Sequence, residues 1–243
     1  MRVAPSLLLA AALLSASGAR AQTCPAMAGA EPRLEAVPAD ARIAFILSRL
    51  EAERPAALLW TRSFQIGYSA LTVGQLVAVP FTSDPVGRSI LIIGSASSAL
   101  ALLPSLLLPL TVISDAPRMA ELAAGPGERC AVLAEAEAAL RRGADSEAFA
   151  SGILAHVGNV VVNLGIGLFI GLYYHRWPAA GITFALGVGI GELQILTQPT
   201  ALIGDLRRYR TGEIEAPEPP PAVGWAPGPV RPGGAGLALA FRF

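Results

Sequence analysis

Lysine is absent from this chain, so all eighteen basic side chains are arginine, and asparagine occurs only twice. With abundant alanine, glycine and proline, that skew points to a GC-rich genome and says little about chemistry. Charge of either sign is scarce: 15% of residues are charged, against roughly a quarter in a soluble domain, which argues against an ordinary cytosolic enzyme. Eighteen acidic residues cancel the eighteen arginines, which removes the basic signature of a nucleic-acid binder. Two histidines, His156 and His175, and two cysteines, Cys24 and Cys130, are too scattered for metal-ligand spacing. No metal or cofactor is expected. The glycine-rich stretches 165–167 and 187–191 lie inside apolar runs and lack the Gly-Lys-Ser/Thr ending of a phosphate loop. What the chain has in quantity is apolar surface: 53% of residues are hydrophobic and the mean hydropathy is +0.54.

Met1-Arg2, the apolar run Val3 to Leu14 and the small residues ending Ala19-Arg20-Ala21 have the order of a secretory signal peptide, which predicts removal of residues 1–21. The run is too short to span a bilayer. The residues before Cys24 are Ala21-Gln22-Thr23, which do not make a lipobox. In an exported protein, two cysteines on one side of a membrane predict a single Cys24–Cys130 disulfide.

Four segments are long and apolar enough to cross a bilayer, at about 63–83, 89–113, 150–173 and 178–197. Before the first, Asp40 to Arg54 sets Ile43, Ile46, Leu47 and Leu50 on one face and Arg42, Arg49 and Glu53 on another. That pattern predicts an amphipathic interfacial helix, with Pro55 opening the helix that continues into the span. In the long loop 114–149, residues 128–142 read as an extramembrane helix with a Glu137/Arg141 pair, stopped by Gly143. Asp145 or Ser146 then suits the cap of the next helix.

Signal cleavage and four spans place both mature termini, Cys24 and the Cys130 loop outside the cytoplasm, with short cytoplasmic loops at 84–88 and 175–178. The expected fold is therefore an all-α integral membrane protein: a four-helix transmembrane bundle with an amphipathic N-terminal helix and an extracytoplasmic helix. An extracytoplasmic N-terminal segment covers 22–38 and the helical membrane domain 39–213. Residues 214–232 are a Pro/Gly-rich linker. Leu237, Leu239, Phe241 and Phe243 alternate with smaller or polar residues, which predicts a short C-terminal strand or hairpin over 233–243. This ending resembles the C-terminal signal of bacterial outer-membrane β-barrels. The resemblance covers only about the last ten residues and implies an outer-membrane sorting or docking element. The rest of the chain lacks repeated alternating strands.

The third span carries His156, Asn159 and Asn163 on one helical face; Glu192 sits inside the fourth, and Gly187, Gly191, Gln194 and Gln198 form a further face at helical spacing. A tight turn near Arg176-Trp177 would set Asn159 level with about Gln194 and His156 with about Thr197. Gln65, Tyr68, Thr72 and Gln75 form a polar stripe on the first span. Polar groups in hydrocarbon turn inward, so three spans are expected to direct polar stripes toward one another. Two readings remain open for His156, Asn159, Asn163, Glu192, Gln194, Gln65 and Gln75. They are either interhelical hydrogen bonds or a site in which Glu192 and His156 accept protons and the amides orient a ligand. His156-x-x-Asn159-x-x-x-Asn163 also resembles the oxyanion helix of rhomboid proteases, but no Gly-x-Ser-Gly nucleophile motif accompanies it. No catalytic residues are assigned.

The functional expectation is an exported envelope membrane protein that is structural or partner-binding and not catalytic. Its expected partners are the lipid bilayer, other membrane proteins or a second copy of itself, and no nucleic acid. The alternatives are a small transporter, channel or proton-coupled protein, or an outer-membrane-associated protein sorted by its last strand.

Overall fold

A computed structural model describes residues 23–214. The expected signal peptide, the terminal strand and all of the linker except Ile214 lie outside the described residues. Among those residues the regular structure is all helical, with no strand: α1 Ala39–Ala78, α2 Pro85–Leu107, α3 Val112–Ala124, α4 Arg129–Ala150, α5 Ile153–Tyr174, α6 Trp177–Leu196 and α7 Ala201–Arg210. Two short 3-10 turns, Pro32–Ala36 and Val79–Phe81, flank α1.

Four helical stretches, within 39–81, 85–124, 129–174 and 177–210, are long and apolar enough to cross a membrane. In their most apolar windows no more than 17% of residues are buried inside the protein. Leu59, Ile66, Val77, Leu107, Leu164 and Leu186 instead point outward. Apolar surface on that scale needs hydrocarbon as its solvent, so this is a membrane-embedded protein.

The helices form two storeys. In the membrane storey, α1 pairs with α2 and α5 with α6 as two helical hairpins. Asp84 caps α2 by accepting from the Val86 and Gly87 N–H groups at 3.2 and 3.1 Å, and Pro85 follows at the position where a missing N–H costs nothing. His175 ends α5 in the left-handed region at φ 56°, so that Trp177 and Pro178 can start α6 directly. The second storey is a water-side domain built from the first half of α1 with α3, α4 and α7. Its core includes Leu34, Ile43, Ile46, Met119, Leu133 and Leu202, each at most 2% exposed. The Cys24–Cys130 disulfide ties the N-terminal segment to the start of α4, with Cα atoms 5.6 Å apart across a sequence separation of 106.

Several sequence expectations change here. The segment 40–54 is helical but not interfacial: its apolar face is core, and Arg42, expected on the polar face, is completely buried. Its partners come from far along the chain, which no local periodicity can register. Pro55 opens no helix, because α1 runs through it without a break. Glu137 pairs with Arg42 and Tyr209 rather than with Arg141. The helix expected at 128–142 continues past Gly143 to Ala150. Gly143 is a packing residue instead of a stop: a Cβ there would collide with Leu202 of α7 at 2.5 Å. Asp145 and Ser146 are therefore mid-helix, and Gly152 precedes α5. Span two ends at Leu107, earlier than expected, and the loop segment 112–124 forms α3.

One buried carboxyl makes the water-side domain sensitive to pH. Glu147 is 1% exposed, its Oε2 accepts from the Ile203 N–H at 3.3 Å, and its Oε1 has no protein partner. Burial, followed by the nearby charge of Glu53, raises its pKa from the ordinary 4.5 to about 8. Asp205, paired with Arg49 at 3.7 Å, adds a smaller effect in the same direction. A carboxyl whose folded pKa is raised binds more protons in the folded state, so its contribution is greatest at low pH. Stability is thus expected to decline as pH rises from about 4.5 through about 8. Melting curves across that range should show the decline in the native protein and a flatter profile in Glu147→Gln.

Candidate functional site

The polar residues of α5 and α6 meet at the hairpin interface. His156 Nδ1 lies 2.6 Å from Glu192 Oε2, and Asn159 Nδ2 donates to Glu192 Oε1 at 2.9 Å and to the Val188 carbonyl at 3.1 Å. Asn163 Nδ2 in turn donates to the carbonyl and Oδ1 of Asn159, at 2.9 and 2.8 Å. Glycine makes this register possible: a Cβ on Gly187 would overlap the Asn163 amide, and one on Gly191 the Asn159 amide. The spacing of both pairs is one helical turn, so two side-chain amides sit in two notches. The hairpin is consequently shifted by about three residues from the expected register. Asn159 faces Gly191 rather than Gln194, because the turn is centred on His175 instead of Arg176-Trp177.

Gln194 turns away from this cluster toward the other hairpin. Its Oε1 accepts from the Tyr68 hydroxyl at 2.7 Å, and its backbone carbonyl accepts from Trp60 Nε1 at 3.2 Å. At the opposite ends of the spans, Arg176 approaches Asp84 at 3.4 Å. The two hairpins are therefore clasped near the water-side domain and again at their short turns. The hairpins are separated by a cavity of about 850 Å³ that extends past the Gln194 clasp to Thr111 and Gln198. The four membrane helices are thus two hairpins with a gap between them. Asn159, Asn163, Gln194 and Tyr68 line the cavity, whereas His156 and Glu192 lie behind Asn159 and do not.

Two expected members belong to a different contact. Gln65 Nε2 donates to the Ser105 carbonyl at 2.9 Å, and Gln75 packs against Gly94, so both face α2 within their own hairpin. The three stripes do not converge on one point. The structure adds Trp60, Thr61 and Thr111 to the cavity wall. Thr61 continues the Gln65-Tyr68-Thr72-Gln75 stripe one turn toward the N-terminus, a periodic signal present in the sequence. Thr111 comes from the loop after α2 and had no such signal. Among the described residues no cluster of His, Cys, Asp or Glu has the arrangement to hold a metal ion. No family model, curated protein or solved structure matches this chain.

Proposed function

We propose that the protein is an exported envelope membrane protein that acts by association, as a structural or partner-binding component, and not by catalysis. The observation that carries this reading is the closure of His156, Glu192, Asn159 and Asn163 upon one another. Groups that bond each other across a helix pair fix its register, and a polar group left unpaired in hydrocarbon would be costly. The disulfide supports an oxidising location for the water-side domain, hence extracytoplasmic termini and cytoplasmic short turns. Its partners are the bilayer, other membrane proteins or a second copy of the chain. The terminal residues 233–243 leave an outer-membrane location as the alternative to the cell membrane.

A second reading has its own observation. Asn159 lines the cavity and also holds Glu192, which would connect a ligand there to a proton-accepting pair. On that reading the protein is a small transporter, channel or proton-coupled protein. Glu192→Gln combined with His156→Ala separates the two. On the structural reading the double variant loses about 1 to 3 kcal/mol of stability, and proton flux into proteoliposomes equals that of the unaltered protein. An unchanged melting temperature together with lost flux would overturn it.

A further inference from the structure

We propose that Glu147 is a proton-operated latch: while its carboxyl carries a proton, the first turn of α7 and the segment 197–200 stay closed on the end of α4, and loss of that proton opens them locally. This goes beyond the association reading, which needs no moving part. The latch owes its leverage to its place. The chain passes between the storeys within α1 at 53–55, from α4 to α5 at 150–153 and from α6 to α7 at 196–201, and Glu147 contacts the last two passages and faces the first. Its backbone carbonyl accepts from the Ser151 hydroxyl at 2.7 Å and from Gln198 Nε2 at 3.3 Å, and its Oε2 accepts from the Ile203 N–H at 3.3 Å. From α1, Glu53 acts on it through its charge.

The first turn of α7 is capped from outside. Thr200, at its N-cap position, makes no side-chain cap bond. The Ala201 N–H instead favours a charged Glu53, and the Leu202 and Ile203 N–H groups a charged Glu147. Two carboxyls from two helices thus share one helix end, which supplies only about half a positive charge. The nearby cations are committed elsewhere: Arg49 lies 3.7 Å from Asp205, and Arg208 acts on Asp205 as well. The charges that act on Glu147 are Glu53 of α1 and Asp205 of α7, both acidic, and Gln198 is uncharged. Glu147 is 1% exposed and its Oε1 has no protein partner, so a charge there is solvated only when water enters between α4 and α7. Burial and Glu53 push its pKa up to about 8. In the open state the carboxyl meets water and returns to its ordinary 4.5. Opening therefore becomes about tenfold easier per pH unit between those two values.

The measurement is hydrogen/deuterium exchange of the full chain in lipid nanodiscs, read by mass spectrometry from about pH 5 to about pH 8 and corrected for the intrinsic rate. Peptides covering 197–206 should lose about tenfold in protection per pH unit. At the upper end they should be at least about tenfold less protected than peptides from 112–124 of α3, because the opening is local. Glu147→Gln keeps the shape and cannot ionise, so protection of 197–206 should be flat with pH and exceed that of the unaltered protein at the upper end. Glu53→Gln removes the repelling charge but leaves the latch carboxyl, so the gradient should persist and stop at a lower pH. No gradient in the unaltered protein overturns the proposal, as does equal protection of 197–206 and 112–124, which signals global unfolding alone. An undiminished gradient in Glu147→Gln overturns it too. If that variant fails to fold, a Glu53→Gln gradient that stops at the same pH as in the unaltered protein does so instead.

Discussion

Replacing Arg42 with methionine is expected to destabilise the water-side domain by about 3 to 5 kcal/mol, a fall of more than about 10 °C in its melting temperature. The size follows from what the guanidinium serves. Arg42 is fully buried and donates to the Tyr209 hydroxyl and the Cys24 carbonyl, both at 2.8 Å, to the Pro25 carbonyl at 3.1 Å, and to Glu137. Glu137 also accepts from Tyr209, whose own pKa is driven upward by burial and by that bond. Removing the arginine strands a carboxylate at 7% exposure and two carbonyls at once. Replacing all three ionic or hydroxyl partners (Arg42→Met, Glu137→Leu and Tyr209→Phe) should recover most of the loss, because a buried ion pair contributes little net stability against an apolar equivalent. If the triple variant melts as low as the single one, the energy resides in the Cys24 and Pro25 carbonyl contacts.

Substituting both cysteines with serine is the second large perturbation. In the chain-entropy model a loop set by a separation of 106 corresponds to about 4 to 5 kcal/mol. That is an upper figure, since membrane insertion already restricts the unfolded chain. The damage should be local. Residues 23–38 are held by the disulfide, by Arg42 and by the Glu31 N–H donating to the Arg210 carbonyl at 2.8 Å, so limited proteolysis should cut there first. The α5/α6 hairpin and the part of α1 beyond Pro55 share none of these bonds and should stay intact. Cleavage inside α5 or α6 at the same protease dose would contradict that division.

These two sensitivities differ in how far they could be read from the sequence. A disulfide between the only two cysteines follows from counting and compartment, and the four spans follow from apolar run length. Pairing of His156 with Glu192 was within reach because both sit in otherwise apolar helices joined by a tight turn. The Arg42 cluster was not: its members come from α1, α4 and α7, and Arg42 occupies a polar slot in a regular amphipathic pattern. Glu147 is hidden for the same reason, since the residues that bury it follow it by about 50 positions. The cavity was the least legible feature. Periodicity identifies which face of a helix is polar, but not whether two helical pairs close against each other or stand apart.

The unbroken α1 has a mechanical consequence. The same rod contributes Ile43 and Leu50 to the water-side core and Trp60 and Tyr68 to the cavity wall, so one continuous helix joins the two storeys. Pro55 removes one backbone hydrogen bond at the junction, which makes it the softest place to bend. A tilt of about 10° there displaces Tyr68, about 20 Å farther along, by about 3 Å. That is enough to part its hydroxyl from Gln194. A bend of α1 at Pro55 thereby acts on the Tyr68–Gln194 bond, one of the contacts that hold the hairpins together.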